Sequence, residues 1–193
     1  MKKIIKIIGV ALLMTAFTQN STAQFKFNAG LEVGLALEDS YGMMYGASIG
    51  GEYGIGDDNM GITAQVGYIL APVDLPSDYI NVSSSFLPIQ LGYKYYFDTN
   101  EGGAYLHGQL GVHMFMTSYD FEYETFDRFD PVTFEIIYKT EKESYSDSST
   151  NLSYALGGGY LINENIDLGL RYNIVTGTGG NFSYLGVRAA YNF

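Results

Sequence analysis

His107 and His113 are the only two histidines of this 193-residue chain, and with no cysteine present they carry most of its capacity for metal or nucleophilic chemistry. They stand six residues apart in one alternating stretch, about 20 Å along an extended strand, too far to share a metal ion. Neither has a serine within two residues. A hydrolase would need a nucleophile, a base and an orienting group brought together. Each histidine therefore reads as a hydrogen-bonded inward residue, and no catalytic residue, metal ligand or cofactor site is assigned. The runs Gly50-Gly51 and Gly157-Gly158-Gly159 could suggest a phosphate cradle, but no helix follows either one to supply an anion-binding N-terminus. Close backbone packing or a bulge accounts for them better.

The remaining chemistry lies in seven charges, Lys26, Lys94, Arg171 and Arg188 against Glu32, Glu52 and Asp167. All seven fall on one phase of stretches that alternate with a period of two. From Phe25 to Leu37 the odd positions are apolar throughout, while the even ones include Lys26, Asn28, Glu32 and three residues no larger than alanine. Successive strand side chains point to opposite faces, so the odd face is wholly apolar. The same alternation returns at 43–55, 60–70, 87–97, 104–116, 152–162, 166–174 and 183–193, each close to the ~9–11 tilted residues that cross a bilayer as a strand. None of the fifty apolar-phase positions is Asp, Glu, Lys, Arg or His. The expected fold is all-β: an eight-stranded, antiparallel, up-and-down transmembrane barrel with the seven charges paired inside as a polar plug. A soluble lipocalin-like barrel would need the opposite phase in water, and that phase is too rich in glycine and too sparsely charged.

The connections alternate. Tight turns are expected at 56–59, 98–103 and 163–165, and longer loops at 38–42, 71–86, 117–151 and 175–182, an order that places tight turns in the periplasm and long loops outside. Aromatic residues sort toward two interfaces: Phe25, Phe27, Tyr53, Tyr95, Phe97, Tyr160, Tyr191 and Phe193 at the tight-turn end, and Tyr45, Tyr68, Tyr154, Tyr172 and Tyr184 at the loop end. Before the first strand, Lys2, Lys3 and Lys6 precede an apolar run and then Ser21-Thr22-Ala23. This reads as a helical secretory signal peptide, residues 1–23, leaving one barrel domain at 24–193. The net charge of −11 becomes −14 once those three lysines are removed, which disfavours nucleic acid as a partner.

Residues 118–150 break the spanning rhythm with nine acids against three bases, a net of −6. Tyr119, Phe121 and Tyr123 alternate with acids, and alternation resumes at Phe134, so a protruding hairpin turning near Asp127 to Pro131 is expected. Its free edge is a template for pairing with another chain, which makes it a candidate surface for an extracellular partner.

The segment Leu87-Pro88-Ile89-Gln90-Leu91-Gly92-Tyr93-Lys94-Tyr95-Tyr96-Phe97, the signal peptide and the closing Val187-Arg188-Ala189-Ala190-Tyr191-Asn192-Phe193 resemble the small outer-membrane β-barrel family, the porin-like domains of the OmpX and OmpA-transmembrane type. That resemblance implies residence in the bacterial outer membrane, contact with its lipid, and recognition of Tyr191 and Phe193 by the outer-membrane insertion machinery during assembly. The expected role is structural or surface-interacting and not enzymatic. The alternatives are narrow porin-like passage of small solutes and, more distantly, lipid modification.

Overall fold

The computed structural model describes residues 25–38, 42–55, 59–73, 80–98, 102–130, 135–177 and 180–193. The signal peptide expected at 1–23 lies outside them. Eight strands follow in order: β1 (Phe25–Ala36), β2 (Met43–Ile55), β3 (Met60–Leu70), β4 (Ile80–Tyr96), β5 (Gly103–Asp130), β6 (Glu135–Ile162), β7 (Ile166–Val175) and β8 (Phe182–Asn192). Each pairs antiparallel with its sequence neighbour, and β1 pairs with β8 to close the barrel. Closure extends to the last residue, where the Phe193 amide donates to the Phe27 carbonyl at 2.8 Å.

The alternating residues divide between the two faces as their phase requires. Leu31, Leu110, Leu152 and Leu156 are each about 70% exposed on the outside, while Glu32, Glu52, Lys94, Asp167, Arg171 and Arg188 are buried inside. A lipocalin-like arrangement would invert this, so the apolar skin excludes it. Tyr184 is a correction to the expected girdles. It occupies the inward phase of β8, is buried, and contributes nothing to the loop-end interface.

Two elements run longer than the apolar alternation indicates. β4 starts at Ile80, seven residues before Leu87, and this extension pairs with β5 from Ile80 opposite Phe121 to Phe86 opposite Phe115. Ser83-Ser84-Ser85 hides the period of two there, yet the β5 backbone still requires a hydrogen-bonding partner. Pro88 lacks an N–H, and the β3–β4 pairing lapses around it, between Val66 opposite Ile89 and Ile69 opposite Phe86. β5 and β6 each span 28 residues and stay paired as far as Asp130 opposite Glu135. The hairpin does not turn at Asp127. The ladder steps from Phe126 to Arg128 across that residue, which makes Asp127 a bulge, and the chain reverses after Asp130.

The β6–β7 turn shows what its three residues impose. Asn163 and Glu164 both have positive φ, 50° and 62°, and the Asn165 amide donates to the Ile162 carbonyl at 3.2 Å. Two left-handed central residues are the hairpin geometry that matches strand twist, and it favours Asn-Gly. Glu164→Gly should therefore raise the stability of the refolded barrel by about 0.5–1 kcal/mol, read as a higher urea midpoint. An unchanged or lower midpoint would refute strain at this turn.

Candidate functional site

The strands bring six of the seven inward charges into one network. Lys94 Nζ lies 2.7 Å from Asp167 Oδ2 and 3.2 Å from Glu52 Oε2. Arg171 Nη2 lies 2.7 Å from Glu32 Oε2, and Arg188 Nε is 3.6 Å from the other oxygen of the same carboxylate. Three cations face three carboxylates, and these six charges sum to zero. Lys26, partly buried, lies opposite Glu52 on the β1–β2 ladder.

Neutral side chains complete the network. Arg171 Nη1 donates to Gln109 at 2.8 Å and to Gln65 at 3.2 Å, and Gln65 Nε2 donates to Glu32 at 2.6 Å. Arg188 donates to Ser48 and Asn28. Tyr96 donates to Glu52 at 2.6 Å, and Tyr105 donates to Asp167 while its ring lies 4.4 Å below Lys94 Nζ. Both tyrosines hold inward-phase positions, so the alternation marked them. Sorting by formal charge passed over them.

Glycine makes room for these large groups. A Cβ on Gly159 would meet the Tyr105 hydroxyl at 2.3 Å, and one on Gly157 would meet the Leu170 carbonyl at 2.1 Å and Arg171 Cγ at 2.9 Å. Gly157 and Gly159 thus form a recess in the inner wall for Arg171 and Tyr105.

Apolar layers lie at either end of the charges. At the loop end, Met44, Ile69, Phe86, Val175 and Tyr184 form a buried cluster against which Phe115 and Phe182 pack. At the tight-turn end, Tyr96, Tyr105 and Leu161 form another. His107 Nε2 meets Thr63 Oγ1 at 2.9 Å, and His113 Nε2 meets the Tyr184 hydroxyl at 3.0 Å beneath the Phe86 and Phe115 rings. The two histidines serve different layers and share no partner. The void among Lys94, His107, Arg171 and Arg188 measures about 20 Å³, room for about one water molecule.

A second candidate site is the β5–β6 ribbon. Its inward phase carries Tyr119, Phe121 and Tyr123 on β5, opposite Tyr145, Glu143 and Glu141 on β6. Phe121 meets Tyr145 edge to face at 6.2 Å. The hydroxyls of Tyr123 and Tyr145 reach the two oxygens of Glu143 at 3.1 and 3.2 Å. The bond to Glu143 raises Tyr123 above the ordinary phenol range. Phe134 lies outside the described residues. Beyond the ribbon, at the tight-turn end, Tyr191 and Phe193 project outward with ring centroids 5.2 Å apart.

A family model described as an outer membrane protein beta-barrel domain matches residues 8–193. No curated protein matches the chain in sequence. Among solved structures the chain is similar to Ail, the attachment invasion locus protein of Yersinia pestis, at 16% identity over 89% of this chain and 99% of that one, with a TM-score of 0.59. Ail has also been solved in complex with the heparin analogue sucrose octasulfate. The N-terminal barrel domain of Pseudomonas aeruginosa OprF is similar at 15% identity, covering 89% of this chain and 98% of that chain, with a TM-score of 0.52. Neisserial surface protein A matches at 15%, covering 88% and 96%, also at 0.52. Likeness at such identities speaks to fold alone.

Breaking the charge cluster on one side should be costly. Asp167→Ala strips Lys94 and Tyr105 of a shared acceptor and should lower stability by about 3–5 kcal/mol, measured by urea unfolding in lipid vesicles. A midpoint equal to that of the unsubstituted protein would show that the cluster contributes nothing to holding the barrel.

Proposed function

Because the chain belongs to the outer membrane protein β-barrel domain family and is an outer-membrane barrel protein, we propose that it serves there as a sealed structural barrel displaying the β5–β6 ribbon for surface interaction. The observation that carries this reading is the contrast between the two candidate sites. The interior holds paired charges flanked by buried rings, with a void of about 20 Å³ among Lys94, His107, Arg171 and Arg188, whereas the ribbon offers exposed rings, acids and, among the described residues, unpaired backbone.

An eight-stranded barrel encloses only enough width for its own side chains. Here three layers occupy that width, which supports a plugged lumen over narrow solute passage. A non-enzymatic role fits the two histidines, each tied to its own hydrogen-bond partner inside the wall. In this reading residues 1–23 are removed on export, 24–193 form the barrel, 118–150 lie outside the cell, and Tyr191 with Phe193 are read by the insertion machinery.

The ribbon differs from a polyanion receptor in charge. Ail binds a sulfated sugar, but nine acids against three bases over 118–150 repel such a ligand here. A surface partner of this protein is therefore not a polysulfate.

Two measurements test the reading together. In planar bilayers the refolded protein should give no sustained ohmic conductance. Deletion of residues 120–147 should preserve the heat-modifiable gel shift of a folded barrel while abolishing attachment of the displaying cells to host surfaces. Steady conductance would refute the sealed lumen, and attachment unchanged by the deletion would refute the ribbon's role.

A further inference from the structure

The β6 strand has a long free edge. Among the described residues its pairing with β7 begins only at Ser153 opposite Val175, so from Glu135 to Asn151 it is bonded to β5 alone. On the far side of the ribbon, the described pairing of β5 with β4 ends at Phe121 opposite Ile80. The β6 edge is thus the longer unpaired backbone and the one whose side chains are described over most of its length.

Those side chains separate into two rows of different chemistry. One row carries Glu141, Glu143, Tyr145 and Asp147 beyond Lys139, whose Nζ lies 3.0 Å from Glu141 Oε1, and the other carries Ser144, Ser146, Ser148 and Thr150 beyond Lys142. A strand added to this edge places its own residues directly opposite these, with Cβ atoms about 4.5–5.5 Å apart. Residues facing the first row are then favoured if cationic, and residues facing the second if they carry hydroxyls.

Glu143 is already oriented for such a partner. Each of its oxygens accepts one tyrosine hydroxyl, and a carboxylate has about four acceptor positions, so two remain for an ammonium or guanidinium group. Tyr145 beside it is 60% exposed and offers a ring face for the same cation. A second copy of this chain is a poor occupant, because pairing the same edge to itself sets acids opposite acids.

The geometry points to an extended peptide segment with Lys or Arg at alternate positions and Ser or Thr between them, added as a strand to the β6 edge, as the ribbon's partner. This rests on the surface-interaction reading above and specifies its partner. Cations two residues apart in a strand recur every ~6.6–6.8 Å, the repeat at which Glu141, Glu143, Tyr145 and Asp147 follow one another.

Fluorescence anisotropy with the full refolded chain in detergent tests this directly, using a labelled (Lys-Ser)5 peptide as probe. It should bind ~ten-fold or more tightly than a block isomer, Lys5Ser5, of identical charge, and than (Gln-Ser)5 or (Glu-Ser)5. N-methylation of alternate probe amides should abolish binding, and the combined E141Q, E143Q and D147N variant should weaken it by a similar factor. Equal binding of the block isomer would replace strand pairing with bulk attraction and overturn the inference. Equal binding of the neutral or acidic repeats would overturn the basic preference while leaving an interacting edge. Binding of none of the peptides, with attachment still dependent on residues 120–147, would overturn strand addition alone. Loss of that dependence would remove the ribbon's surface role itself.

Discussion

Inside a hydrocarbon layer no water is available to a backbone amide or carbonyl, and an unsatisfied group costs several kcal/mol. A chain that crosses by strands must therefore end where it began, and this one does so to the final residue, with the Phe193 amide bonded to Phe27. Closure decides the rest. It leaves no edge within the wall, it assigns every second side chain to lipid, and it turns the other half into an interior whose width in an eight-stranded barrel matches that of side chains.

What fills the tube follows from that confinement. Charges withdrawn from water are tolerated only when paired and hydrogen-bonded, and the three cations and three carboxylates meet that condition through bonds contributed by β1, β2, β3, β4, β5, β7 and β8. Gly157 and Gly159 on β6 complete the arrangement between β5 and β7 by giving up volume to the neighbouring Arg171 and Tyr105. Two buried clusters flank the charges, Met44, Ile69, Phe86, Val175 and Tyr184 on one side and Tyr96, Tyr105 and Leu161 on the other. The interior is thus a sandwich of polar between apolar, where the inward residues alone suggested a single polar plug.

The period of two made the wall readable because lipid tolerates no exception on the outward phase. Met43 to Ile55 and Met60 to Leu70 were therefore bounded correctly from alternation alone. The signal failed where the constraint lapses. Ser83-Ser84-Ser85 extends β4 with no apolar alternation, and Asp127 continues β5 as a bulge inside what read as a turn. Tyr184 was misplaced because an aromatic residue near a strand end suits either the interface or the interior, and only its phase decides. The cluster Met44, Ile69, Phe86 and Val175 escaped notice for a related reason. Apolar residues on an inward phase look like lapses in the alternation until the strands curve and bring them together.

The unequal strand lengths have a last consequence. Among the described residues, the ribbon beyond Phe121 on one side and Leu152 on the other is held by its own cross-strand pairs, while each strand of the wall beneath pairs with two neighbours. With fewer neighbours and exposed backbone bonds, the ribbon lies at the low-stability end of the molecule, where local opening costs less than unfolding of the wall. The molecule is built in two parts: the wall draws on the strands that pair on both sides, and the ribbon on the outer reaches of β5 and β6 alone.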